Sequence, residues 1–234
     1  MQYQKLHFKE IDSTNSYLKN NHHFLKEFTF VSADYQSLGK GRENRTWLSN
    51  NEENLLFSFL LKDQKFMDIS TYLSIYSAVE IAKFLESYKI KNVSVKWPND
   101  VLIGEKKVCG ILLEAQLPEY IVVGIGLNVN QKTFPPNLKR EATSLTNETK
   151  QPYSIDEIKE KLFSQLVNNF NDINHVSYLS YFRENNYLMN KKVKARHNQK
   201  DFVGEVIGIT DDLRLQIKSD KLILPVDSGE ITVL

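Results

Sequence analysis

The stretch GKGRENRTW, residues 39–47, gathers Lys40, Arg42 and Arg45 within six residues. Three cations so close together suit a polyanion such as a triphosphate, whose oxygens accept charge-assisted hydrogen bonds. Gly39 and Gly41 let the backbone adopt conformations and approach a ligand in ways that other residues resist. Trp47 offers a flat face to stack on a purine, or an anchor to pin the loop down. A solvated basic loop, or a nonspecific contact with nucleic acid, explains these residues equally well when they are read alone.

A second group lies in KWPNDVLIGEKKVCGILLE, residues 96–114. Trp97–Pro98–Asn99–Asp100 is a turn by its local chemistry: proline fixes φ, and Asn and Asp tolerate the tight backbone after it. Lys107, entering an apolar strand beside Gly110, is placed to aim its ammonium into a pocket. Lys106 fits an edge lysine pointing at water. In GIGLNVN, residues 124–130, the glycines within an apolar strand mark the close passage of a ligand or another backbone. Asn128 and Asn130 then fall on one side of that strand. The third glycine and succeeding helix of a dinucleotide fingerprint are missing. Ser13 in Asp12–Ser13–Thr14–Asn15 is explained by a helix cap. No Ser/His or Cys/His arrangement suggests an enzyme nucleophile, and Cys109 reads as a small buried hydrophobe.

The elements that must position these residues emerge from periodicity. LHFKE (5–9), FTFVSA (28–33), NLLFSFLLK (54–62), VSVK (93–96), KVCGILLEAQL (107–117) and YIVVGIGLNV (120–129) read as strands. Tyr72, Ile75, Tyr76, Val79 and Ala82 share one face of a helix within 69–88. Ser154 and Glu157 form a capping box for a helix reaching Phe170, and a shorter helix comes next over 176–188. Gln36–Glu53 shows neither period, and long structureless stretches of this kind are commonly binding loops or lids. Residues 131–152, rich in proline and polar groups, also read as loop. From Lys191 onward there are five short alternating strands, with turns at Asn198–Gln199, Thr210–Asp212, Ser219–Asp220 and Asp227–Gly229. The expected fold is α+β: a main domain over 1–188 and a small β module over 189–234.

Composition bounds the partners. The 234 residues carry 30 Lys+Arg against 29 Asp+Glu, a net charge of +1. That balance exerts no general pull on nucleic acid or a membrane surface. One cysteine excludes an internal disulfide and a multi-cysteine zinc site, and the five histidines show no helical metal spacing. With neither a signal-like start nor a membrane-length apolar run, a cytoplasmic protein is expected.

Together these motifs resemble the biotin–protein ligase family in composition, order and spacing. The family's loop pattern, Gly-Arg-Gly-Arg-x-Gly-Arg-x-Trp, is matched by Gly39, Lys40, Gly41, Arg42, Arg45 and Trp47. Lys-Trp-Pro-Asn-Asp stands intact at 96–100. Lys107 precedes x-x-Gly-Ile-Leu, Gly-x-Gly-x-Asn ends at Asn128, and Ser-Thr-Asn is 13–15. Two departures concern the loop. Lys40 keeps the charge of a usual arginine without its planar fork, and Asn44 stands for a third glycine, as the next residue most tolerant of left-handed backbone.

The resemblance implies a mixed β-sheet catalytic domain flanked by helices, like class II aminoacyl-tRNA synthetases, with a small SH3-like barrel after it. It implies biotin–[acetyl-CoA-carboxylase] ligase activity with ATP and Mg²⁺. Biotin would be activated as biotinoyl-AMP and passed to a lysine of a biotin carboxyl carrier protein or domain. Ser13, Thr14, Asn15, Gln36, Gly39, Lys40, Gly41, Arg42, Lys107 and Gly110 would contact biotin or its adenylate. Arg45, Trp47, Asn99 and Asn128 would face the nucleotide, with the metal near Asn128. Lys107 and Arg42 would carry the charge at the reaction centre, and Asp100 would orient the incoming amine. A lipoate or octanoate ligase of the same superfamily is the competing reading, and a thioester at Cys109, as in octanoyl transferases, a remoter one. The family's DNA-binding repressors add an N-terminal helix-turn-helix domain, which the twelve residues before Ser13 cannot house. Some relatives pair through a sheet edge, and the sequence leaves open whether this chain forms a homodimer.

Overall fold

The structure is a computed structural model. It describes every residue except Met1, Gln2, Asn51, Asn137, Lys139, Asn198, Gln199, Lys221, Asp227, Ser228 and Glu230, and the side chains of Asn44, His197 and Lys200. Seven strands form the main sheet: β1 (Lys5–Ile11), β2 (Phe30–Gln36), β3 (Asn54–Leu61), β4 (Val93–Lys96), β5 (Asp100–Ile103), β6 (Lys106–Gln116) and β7 (Tyr120–Asn128). Their order is β1-β2-β3-β7-β6-β5-β4, with β1 and β2 parallel and every other neighbour antiparallel. The largely apolar run of β3, interrupted by Ser58, is explained by its place in that order, because all eight of its residues are buried.

Period-two alternation divides the sheet into two faces. Phe57, Phe59, Ile121, Val123, Ile125, Cys109 and Ile111 point to the larger core. There α3 (Leu73–Ser87), which comes after the single-turn α2 (Gln64–Met67), and α5 (Ile155–Asn171) cover the sheet, and the Phe163 ring stacks on Phe30 at 4.2 Å between centroids. The Ser154 side chain accepts from Glu157 N and starts α5 where the sequence places it. On the opposite face, α1 (Thr14–Asn21) buries Leu18 against Val31, Leu60, Tyr120 and Val122. That smaller cluster leaves the neighbouring stretch of the same face free for polar work.

Three expectations need correction. The segment 131–152 holds a short helix, α4 (Leu145–Thr149), capped by Ser144. The second of the C-terminal helices, α6 (His175–Glu184), stops before 188. The stretch after Gln36 is a tied loop rather than a structureless one: Lys40 bridges Thr46 across a 3-10 turn at Arg42–Asn44. The left-handed residue of that turn is Glu43, with φ 56° and ψ 43°, where the sequence offered Asn44 for that role.

The remaining strands, β8 (Lys192–His197), β9 (Lys200–Ile209), β10 (Leu215–Ser219), β11 (Leu222–Val226) and β12 (Thr232–Val233), form an antiparallel C-terminal sheet consistent with an SH3-like fold. The turn expected at Asn198–Gln199, and Asp227 and Ser228 of the turn expected at Asp227–Gly229, lie outside the described residues. Trp97 Nε1 donates to Leu213 O at 3.1 Å and Lys96 Nζ to Ile231 O at 3.2 Å, so the second sheet is tied to the 96–100 turn. Among the described residues, no helix is long and apolar enough to cross a membrane.

Candidate active site

Strand register builds the floor of the site. Asp100, Gly110, Gly126 and Leu56 are paired across β5, β6, β7 and β3, and Leu112, Gly124 and Ser58 form the adjacent row. Glycine is required here by close approach. A Cβ on Gly124 would lie 2.2 Å from Asn15 Oδ1, and one on Gly126 would lie 2.4 Å from Trp47 Cε2.

Above the second row sits a polar cluster carried by the start of α1. Ser13 caps that helix, accepting from Ser16 N, and Thr14, Asn15 and Ser58 are all buried. Ser58 Oγ donates to Asn15 Oδ1 at 2.5 Å, and Thr14 Oγ1 lies 2.6 Å from Ser58 Oγ. Each hydroxyl has one proton, so Thr14 must supply the one between them. Gln36 Oε1 is then left the Thr14 amide, at 2.8 Å. Asn15 Nδ2 donates to Glu114 Oε2 at 2.8 Å, and Lys19 pairs with the other carboxylate oxygen. Burial pushes the Glu114 carboxyl up, but its bonds to Lys19 and Asn15 outweigh that and hold it below the usual carboxylate range.

These side chains, with Lys40, Gly41, Arg42, Trp47, Asn99, Lys107 and Gly110, enclose a cavity of about 50 Å³. That is room for a water or two. A second cavity of about 330 Å³ adjoins it, lined by Arg45, Trp47, Asp100, Lys107, Asn128, Phe134, Arg140 and Ile231 among others. Lys107 and Trp47 stand in the walls of both.

Lys107 Nζ is 2.6 Å from Asp100 Oδ1 and 5.4 Å from the centre of the Trp47 ring. The Asp100 contact satisfies an ion pair but not a directed hydrogen bond. Arg42 Nη1 donates to Asn99 Oδ1 at 3.1 Å, and Asn99 Nδ2 donates to Ile111 O at 2.7 Å, which ties the loop, the 97–99 turn and β6 together. The buried Trp47 Nε1 makes no hydrogen bond among the described residues.

The other sequence-chosen residues make contacts of their own. Gly39 stays out of the cavity wall; its carbonyl accepts from Trp47 N, and a Cβ there would meet Trp47 O at 2.9 Å. Asn99, assigned to the nucleotide, lines the smaller cavity. Asn128 Nδ2 donates to Thr143 O, while Asn130 leaves its expected shared side and binds Thr146 and Tyr153 N. Cys109 is fully buried on the core face, and desolvation pushes its thiol far up, so a thioester there is not supported. The sequence reading missed Ser58 and Glu114, whose signal was a polar residue inside an apolar strand. It also missed Phe134 and Ile231, which carried none.

The biotin/lipoate A/B protein ligase family model matches residues 7–128, more than half of the chain, and the chain belongs to that family. Its fold is that of the biotin protein ligase of Aquifex aeolicus in complex with biotin and ATP, at 29% identity and TM-score 0.87, covering 99% of this chain and 98% of that one. The bifunctional ligase/repressor BirA of Escherichia coli is 29% identical over 95% of this chain and 72% of its own length. The biotin–[acetyl-CoA-carboxylase] ligase of Mycobacterium tuberculosis is 31% identical over 48% of this chain and 43% of its own.

Proposed function

We propose that the chain is a biotin–protein ligase that activates biotin with ATP and transfers it to a lysine of a biotin carboxyl carrier protein or domain. The observation that carries this reading is the position of Lys107 at the junction of two cavities, one small and polar, the other larger and partly apolar. The Aquifex aeolicus and Mycobacterium tuberculosis relatives are biotin ligases, and the first is bound to biotin and ATP, which supports the choice of acid and nucleotide.

In the first step a biotin carboxylate oxygen attacks the α-phosphorus of ATP, forming biotinoyl-AMP and releasing pyrophosphate. Two anions must meet, so cations at the junction offset their repulsion, Lys107 between them and Arg42 beside it. The Thr14–Ser58–Asn15 chain offers donors and acceptors that match the ureido ring of biotin. In the second step the acceptor amine attacks the acyl carbonyl, an amide forms, and AMP leaves. Asp100, once Lys107 turns to the adenylate, is placed to accept a proton from that amine.

Mg²⁺ takes oxygen donors and, bound with nucleotides, keeps phosphates and waters as most of its ligands. The larger cavity fits an ion carried in this way: it offers the Asp100 carboxylate and Asn128, whose Nδ2 is already committed to Thr143. The ion would offset phosphate charge. Residues 1–188 would form the catalytic unit and 189–234 the appended module, in a cytoplasmic enzyme.

The test is ATP–pyrophosphate exchange by the purified chain with biotin, lipoate, octanoate or no acid, and then transfer to a carrier domain. Exchange with biotin alone supports the proposal; exchange with lipoate or octanoate instead overturns its substrate, and silence with every acid overturns the activity.

A further inference from the structure

Far from the cavities, at the other end of α1, three potential metal ligands come together from two segments, His22 and Glu119 lying 97 residues apart in the chain. His22 and His23 form a 3-10 turn just after α1, and Glu119 is in the hairpin turn between β6 and β7. One donor atom from each lies within 4.8 Å of the others. His22 is buried, its ring against Tyr120 at 4.4 Å and His23 at 3.7 Å, whereas His23 and Glu119 are exposed.

The tautomer of His22 gives the cluster its meaning. His22 Nδ1 is 2.7 Å from the carbonyl oxygen of Lys19, which can only accept, so Nδ1 carries a proton. In the neutral ring Nε2 then presents a lone pair, and it faces Glu119 Oε2 at 3.3 Å. Two acceptors so placed repel unless a cation stands between them. That cation is either a second proton on His22 or a metal ion.

The spacing suits a metal. Zinc bonds of about 2.0–2.1 Å at tetrahedral angles hold neighbouring donors roughly 3.4 Å apart. The backbone carbonyl on Nδ1 is the outer partner that orients a metal-binding imidazole. His23, on the surface, holds a donor atom within 4.8 Å of the other two and would complete three protein ligands, with water as the fourth. The nearby cation Lys62 is committed to the carbonyls of His22 and Leu25, each at 3.2 Å. We propose that His22, His23 and Glu119 form a site for a divalent transition metal of the zinc class, joining the end of α1 to the β6–β7 hairpin. Two imidazoles and a single carboxylate favour such ions over magnesium.

The experiment is calorimetric titration of the chelator-treated full chain with zinc chloride, beside the His23→Ala and Glu119→Gln variants. Both substitutions are at exposed positions and leave the buried His22–Tyr120 contact in place. One zinc per chain is expected in the unaltered protein, with a rise in melting temperature. Each variant is expected to bind roughly tenfold or more weakly, and millimolar magnesium is expected not to compete. If the unaltered chain takes up no zinc, the His22–Glu119 contact is an ordinary imidazolium–carboxylate pair and the proposal fails. It fails equally if both variants keep full affinity, or if magnesium displaces the zinc.

Discussion

Lys107 Nζ rests 2.6 Å from Asp100 Oδ1, so the cation proposed for the reaction centre is held by the carboxylate proposed for the acceptor amine. Biotin and nucleotide phosphates must draw the ammonium away, and the carboxylate then becomes available in the order that the two steps need. Lys107→Ala is expected to lower biotin-dependent pyrophosphate exchange by at least about 10²–10³-fold. The loss of a partly exposed ion pair is expected to cost only about 1 kcal/mol of stability. Exchange kinetics and a denaturant titration on the same preparation separate the two effects, and unaltered exchange would remove Lys107 from the chemistry.

Gly124 makes a sharper test of the smaller cavity. An added methyl would sit 2.2 Å from Asn15 Oδ1, which also accepts from Ser58. Gly124→Ala should therefore push Asn15 out of its chain of hydrogen bonds while the strand itself accepts alanine. The expected result is weaker biotin binding, by tenfold or more for a displacement worth about 1.4 kcal/mol, with little change in the KM for ATP. Equal changes in both constants would show that the residue shapes the fold instead.

How far the sequence foretold this site depended on what each residue's neighbours are. The apolar run of β3 and the spaced glycines of β7 are local patterns, so the central strands and the close approach at Gly124 were legible. The Trp97–Asp100 turn was legible too, because proline and Asx chemistry act within four residues. Ser58 and Glu114 were not, since nothing in a single strand says that Asn15 will lie across both. The five residues of α4 are too few to show a helical period inside a proline-rich stretch. Gly39 and Asn130 fitted their motif or alternation by type, yet contacts with Trp47 N and Tyr153 N occupy them. His22 and Glu119 meet only because the β6–β7 hairpin returns to the end of α1.

Glu114 gives a dependence on pH. Its folded carboxyl is held below the ordinary value of 4.5, so it contributes stability that is present above that range and lost as pH falls through the folded value. Glu114→Gln removes the charge that holds Lys19 and leaves an acceptor for Asn15. After allowance for solvent screening, the variant is expected to be less stable by about 1 kcal/mol or less at pH 7. That gap should narrow as pH falls below the ordinary value of 4.5 and close below the folded value. Urea titrations of both proteins at pH 7 and pH 3.5 check this, and a gap that stays constant across the interval would contradict the assigned ion pair.

Trp47 must move before any ligand the size of biotin can enter. Its ring lies where Cβ atoms on Gly110 and Gly126 would be, and the cavity beneath it measures about 50 Å³, whereas small-molecule sites run to several hundred. The chain has two tryptophans, and the other, Trp97, is buried and bonded to Leu213 O. A change in fluorescence on binding should therefore come from Trp47. Adding biotin and ATP is expected to shift the emission of the unaltered protein, and Trp47→Phe is expected to abolish the shift. A shift that survives in the variant would place the movement at Trp97 and its contact with the C-terminal sheet, leaving the ring over Gly126 as a fixed wall of the site.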